Sequence, residues 1–278
     1  NETLFVFPFD HNDRPSAEAY QDIADKLRAL SYPGLFLSNL KDISFEIDQT
    51  IGLYEKEIVE TKRFDDTIAE CICLTQNKGE DIYTTKLWLF SRIDDFGRRY
   101  SIGFFLNDEG LLHPVEETAF CFFPTKEVTG LKFLIHAPFL LTDSREGIRA
   151  GIPHNNRMIN QLAALAADSL VFLRDIGIEK SIRLINDDIV DLIPVDEAAF
   201  NDISDKRKIS FKPFFTAIKE KFLTTPILPT KEGYIAKKDS YWASVPQLTN
   251  LFSDSQLSEL VGNTDAKWVF TSLGRQET

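Results

Sequence analysis

At 278 residues the chain has room for one large domain or two modest ones, and is long enough to bury a sizeable core. Hydrophobic residues at 43% and charged residues at 27% are the balance of a globular protein, and 23 phenylalanines against one methionine predict an aromatic core. A net charge of −12 argues against a nucleic-acid surface, which needs a basic stripe to displace counterions, and against an anionic membrane. No apolar run approaches the roughly 20 residues of a spanning helix.

Leu4 to Phe9 reads as a strand closed by Pro8. From Ala17 to Leu30, Tyr20, Ile23, Ala24, Leu27 and Leu30 recur at helical spacing, with Ser16 as N-cap. Tyr32-Pro33-Gly34 breaks that helix, and a loop and strand follow through GLFLSNLKDISFEI. Five strands come next: Ile51–Thr61, Thr67–Thr75, Thr84–Ile93, Tyr100–Asn107 and Ala119–Phe123, separated by turn-rich segments such as QNKGED and DDFGRR. Lys132–Ala137 is a further strand, ended by Pro138.

Beyond it, Thr142-Asp143-Ser144 offers helix caps, with Arg145 and Glu146 opening the helix and Ile152-Pro153 interrupting it. A long helix resumes over Asn155–Asp175, capped by Asn155 and Asn156. Its stripe of Ile159, Leu162, Ala163, Ala166, Leu170 and Leu173 is core packing, and Gly177 ends it. A short acidic segment, a helix over Pro213–Leu223, a strand around Gly233, two short helices joined by FSDSQ and a final strand over Lys267–Thr271 complete the chain.

The order predicts an α+β fold: a largely antiparallel sheet covered by helices, plus a smaller α/β subdomain. Boundaries are expected at 1–48, 49–177 and 178–278.

Three cysteines give no disulfide framework. Cys71 and Cys73 share one face of a strand and Cys121 lies in another, so buried reduced thiols and a cytoplasmic setting are expected. His11, His113, His136 and His154 carry no ligand spacing, and no metal site is expected. Asp187, Asp188 and Asp191 would serve a metal-dependent nuclease, but without a lysine or histidine partner they read as a solvated acidic face. No P-loop, GxGxxG turn or nucleophile elbow occurs.

On its own residues, Arg145 is an arginine that pairs with Asp143 or Glu146. The run FCFFPTKEVTGLKFLIHAPFLLTDSREGIRAGIPHNNRMINQLAALAADSL, however, resembles the transducer, or middle, region of GHKL-type ATPases. The closest branch is the sacsin-like one, kin to the ATP-dependent heat-shock chaperones. Residues 1 to about 48 resemble the end of the nucleotide lobe by their pattern of strand, helix and strand.

The resemblance implies a segment of a longer protein, begun without an initiator methionine. ATP and Mg would be bound mainly by an upstream lobe, and the segment DSRE would send Arg145 back to the γ-phosphate as the catalytic residue. Arg145, Thr142, Ser144 and Lys126 are the implied nucleotide contacts, with Glu146 steadying the helix start. Thr142 and Arg149 depart from the chaperones, which carry asparagine and glutamine there. The implied partners are the upstream lobe, a protein client and a second copy of the full-length protein. Chaperone-like client handling or bacterial defence follows from the resemblance alone, and a non-catalytic interaction scaffold is the alternative.

Overall fold

The computed structural model describes residues 15–37, 39–78, 81–192, 209–243 and 247–269, with Val6, Pro8, Asp13 and Val245. Alternating and continuous apolar runs fold into one eight-stranded sheet. In chain order its strands are β1 (Asp42–Ile47), β2 (Thr50–Phe64), β3 (Thr67–Lys78), β4 (Asp81–Ile93), β5 (Arg99–Leu106), β6 (Thr118–Cys121), β7 (Phe123–Val128) and β8 (Leu134–His136). Their order across the sheet is β1-β2-β3-β4-β5-β8-β6-β7. β1–β2, β4–β5, β5–β8 and β6–β7 pair antiparallel, while β6 and β8 run parallel. The expected α+β class with a largely antiparallel sheet is what the chain adopts. The expected strand over 4–9 lies largely outside the described residues.

Packing divides the chain into two compact units, Asn1–Glu57 with Cys73–Thr85, and Ile58–Ile72 with Lys86–Thr278. In the first, helix α1 (Ser16–Arg28) begins after Pro15, and no side chain caps it, so Ser16 is the first helical residue rather than the cap. Pro15 already holds the extended backbone that a cap position needs. At the other end, the Tyr54 hydroxyl donates to the carbonyl of Leu27 at 2.6 Å, satisfying a last-turn carbonyl that lacks an intrahelical partner. Asp48 and Gln49, both at positive φ, form the two-residue turn between β1 and β2 that matches strand twist.

In the second unit, β4 and β5 are buried on both faces over Leu87–Ser91 and Tyr100–Phe105. Trp88, Phe90, Ile102 and Phe104 belong to one core with helix α2 (Pro153–Glu179), which contributes the whole predicted stripe from Ile159 to Leu173. Two expectations about this helix fail. Pro153 does not interrupt it but starts it, taking the first helical position where the missing N–H costs nothing. Gly177 does not end it either: it lies inside the last turn, where an added Cβ would meet the Ile182 carbonyl oxygen at 2.9 Å and Leu184 Cβ at 3.1 Å. The residue is small because the chain folds back against it.

Helix α3 (Lys212–Thr224) packs along α2 through Phe214, Ile218 and Phe222. Asp168 of α2 joins the layers, accepting from Arg92 of β4 at 3.0 Å and Lys221 of α3 at 2.9 Å. Burial raises the Asp168 pKa, but those two cations outweigh it and hold the carboxyl below its usual range. A hairpin of β9 (Leu228–Thr230) and β10 (Gly233–Ile235) follows. A parallel pair, β11 (Ser240–Tyr241) with β12 (Lys267–Trp268), encloses the short helices α4 (Leu248–Leu251) and α5 (Asp254–Val261). Ser253 and Gln256 form a capping box on α5, and Gly262 closes it in the left-handed region. The expected last strand beyond Val269 lies outside the described residues.

Candidate functional site

The site is the loop between β8 and α2. β8 ends at His136, and the loop starts with Ala137 donating its N–H to the Phe120 carbonyl at 3.2 Å. No helix opens at Arg145. Leu141 instead bridges antiparallel to Ile148, Thr142 donates to the Gly147 carbonyl at 2.8 Å, and Arg149 donates to the Leu140 carbonyl at 3.0 Å. These bonds fold the segment back on itself, so the backbone groups a helix would use are already committed. Thr142 caps no helix: its hydroxyl accepts the Gly147 N–H at 3.2 Å and lies 3.2 Å from the Ser144 hydroxyl.

Arg145 stands at the tip, exposed, with φ of 59°. A left-handed arginine costs about 1 kcal/mol, so the surrounding bonds must over-determine the turn. The carboxylates expected to pair with Arg145 do not. Asp143 is bound by Arg149, and Glu146 by Lys126 at 2.5 Å. Among the described residues the Arg145 guanidinium has no hydrogen-bond or ion-pair partner, whereas the other two cations of the cluster, Lys126 and Arg149, are both engaged.

Two side chains from outside the loop hold it. Asn155, expected to cap α2, is fully buried in its first turn. Its Oδ1 accepts the Leu140 N–H at 2.8 Å, and its Nδ2 donates to the carbonyls of Leu140 and Arg149, each at 2.8 Å. Asn156 likewise makes no cap, because Pro153 moves the cap position to Ile152. From β7, Glu127 Oε2 accepts the Ile148 N–H at 3.0 Å, and the Lys126 N–H donates to the Glu146 carbonyl at 2.7 Å. Gly147 permits that approach, since a Cβ there would stand 3.2 Å from Glu127 Oε2. The signal available in the sequence was Pro153 itself: a proline at the first helical turn leaves an asparagine two residues later free for other work.

The strand behind the loop is electrically quiet. Burial, aided by the charge of Arg99, lowers the His136 pKa to about 3, so the ring is neutral. Burial pushes the Cys121 thiol up, and its Sγ lies 3.4 Å from the Phe139 carbonyl oxygen, an arrangement for a packed thiol and not a nucleophile. Cys71, Cys73 and Cys121 are reduced thiols, each half-buried. The expected strand over Ala119–Phe123 divides here, because Phe122 adopts φ of 65° and turns the chain from β6 into β7. That turn leaves Phe122 and Phe123 about half exposed, and Phe122 packs edge-on against His136.

No group of three or more His, Cys, Asp or Glu able to hold a metal occurs among the described residues. The side chains of Asp187 and Asp188 lie outside them. No described helix is long and apolar enough to cross a membrane. Comparison with protein-family models, curated proteins and solved structures finds no match for this chain.

Proposed function

We propose that the chain is the middle, transducing segment of a GHKL-type, sacsin-like ATPase, and that Arg145 is the cation it offers to nucleotide held by an upstream lobe. The observation that carries this reading is an exposed arginine left without a partner on a loop whose other charges are all engaged. Such a group suits the developing charge on a transferring phosphoryl group, which a fixed cation stabilises without having to reorganise. ATP and Mg belong to the upstream lobe; when bound there they supply the phosphoryl chemistry. This chain's share is to place one guanidinium and to pass the docking movement along α2, whose buried face runs through the core. Chaperone-like client handling or bacterial defence, in the cytoplasm and as a homodimer of the full-length protein, completes the proposal.

The test is ATP turnover by the full-length protein against Arg145→Ala. An arginine acting this way is worth roughly 10³–10⁵ in rate, so turnover collapses while ATP binding persists. Equal turnover in both forms overturns the reading. A second reading, a non-catalytic interaction scaffold, draws on Phe122, Phe123 and Leu140, which expose apolar surface on and beside the same loop. It is favoured if neither form hydrolyses ATP.

A further inference from the structure

The loop that carries Arg145 is fastened at both flanks by side chains from other elements. Asn155 is 0% exposed and uses its carbonyl oxygen and both amide hydrogens on the backbone of Leu140 and Arg149. Glu127 takes the Ile148 amide from the opposite side. The tip residues Asp143 to Glu146 are exposed: surface ion pairs, which contribute little, tie Asp143 to Arg149 and Glu146 to Lys126, and the Arg145 N–H donates to the Thr142 carbonyl at 2.8 Å. A tip so built stands wherever its flanks hold it.

We propose that Asn155 and Glu127 are positioning residues for Arg145: Asn155 registers the loop to the first turn of α2, Glu127 registers it to β7, and together they fix the stand-off at which the guanidinium meets its anion. The role rests on the phosphate-sensing reading of Arg145. It extends that reading by naming what transmits the movement, since a shift of the α2 N-terminus moves Leu140 and Arg149 with it. A misplacement of about 1 Å can cost about 10²-fold in rate, so neither residue has to touch the nucleotide to govern turnover.

Amide hydrogen exchange and ATP turnover on the same full-length preparation test this. Asn155→Ala should speed exchange at the Leu140 amide, whose acceptor it removes, and lower kcat about 10²-fold with KM for ATP little changed. Adding Asn155→Ala to Arg145→Ala should lower turnover no further, because a positioning residue has nothing left to position. Glu127→Ala should release the Ile148 amide and lower kcat, whereas Glu127→Gln, which keeps an acceptor oxygen, should restore both. If Asn155→Ala does not fold, the Glu127 pair, half-exposed and milder, carries the same readings. Unchanged exchange in the loop overturns the clamp. Losses from Asn155→Ala and Arg145→Ala that multiply overturn the positioning role and leave a general structural one. Faster exchange with turnover indifferent to Arg145→Ala supports the clamp and sinks the phosphate-sensing reading instead.

Discussion

Two connections in the second unit carry arginines, Arg98 in one and Arg145 beside Arg149 in the other, and Arg98 and Arg145 are used in opposite ways. Between β4 and β5, the buried Asp94 carboxylate accepts the amides of Phe96 and Arg98 at 2.9 Å each, and the Arg98 guanidinium at 2.9 and 2.7 Å. There the arginine is part of what holds the turn. Between β8 and α2, the loop is held by Asn155, Glu127 and its own backbone, and the Arg145 guanidinium takes no hydrogen bond or ion pair among the described residues. A turn that consumes its cation is a structural turn. One that is built by other groups and leaves its cation exposed in a left-handed conformation keeps that cation available for an outside anion.

The comparison breaks most decisively at Arg145. Arg145→Ala should remove about 4–7 kcal/mol of transition-state stabilisation and leave the denaturation midpoint unchanged, because the exposed guanidinium has no hydrogen-bond or ion-pair partner among the described residues. Arg98→Ala should do the reverse: turnover stays, and urea denaturation shows a loss of about 2–3 kcal/mol from a buried carboxylate deprived of its guanidinium. If Arg98→Ala lowers turnover without lowering stability, the contrast is wrong.

Acid separates the two regions further. In the folded chain the His136 imidazole stays neutral until about pH 3, whereas in the unfolded chain it takes a proton near 6.5. Between those values only the unfolded state is protonated there, so this residue makes stability fall as pH drops, by about 2 kcal/mol from pH 6.5 to 5. Asp94 responds later. Burial raises its pKa, but the Arg98 guanidinium and the Arg98 and Phe96 amides outweigh that and leave it lowered. Its contribution is complete above the ordinary carboxylate pKa of 3.8 and is lost as pH falls below it. Denaturation midpoints for His136→Gln should therefore lose the slope between pH 6.5 and 5, and a slope that persists there belongs to some other group.

What the sequence made legible follows from the range of the interactions involved. Strands β2 to β5 and the α2 stripe are written in alternation and helical spacing, which are local, and their existence was readable to within a few residues. The loop was not. Thr142-Asp143-Ser144 has the composition of a cap, but the bridge from Leu141 to Ile148 and the two flank clamps override that preference from a distance. Asn155 meets Leu140 across 15 residues and Glu127 meets Ile148 across 21, and no periodicity encodes such contacts. Gly177 was misread for the same reason: a glycine near a helix end normally marks the stop, and only the returning chain at Ile182 and Leu184 explains it inside the helix.

The smallest expected effect is at Lys126. Its ammonium sits on the Glu146 carboxylate at 2.5 Å, but the two side chains are 76% and 52% exposed. Water screens such a pair, and ordering two long side chains offsets much of what remains, so Lys126→Ala should change stability by no more than about 0.5 kcal/mol. Loop exchange should stay as in the parent, since the Lys126 backbone N–H still donates to Glu146 and the clamps are untouched. This near-silence makes the variant informative. Lys126 was the second cation that the resemblance assigned to the nucleotide, and a side chain that contributes almost nothing to the fold can leave Glu146 at little cost when an anion approaches. A tenfold fall in turnover at unchanged stability would make Lys126 a second cation of the Arg145 kind. Turnover equal to the parent would leave it on the side of Arg98, an engaged charge.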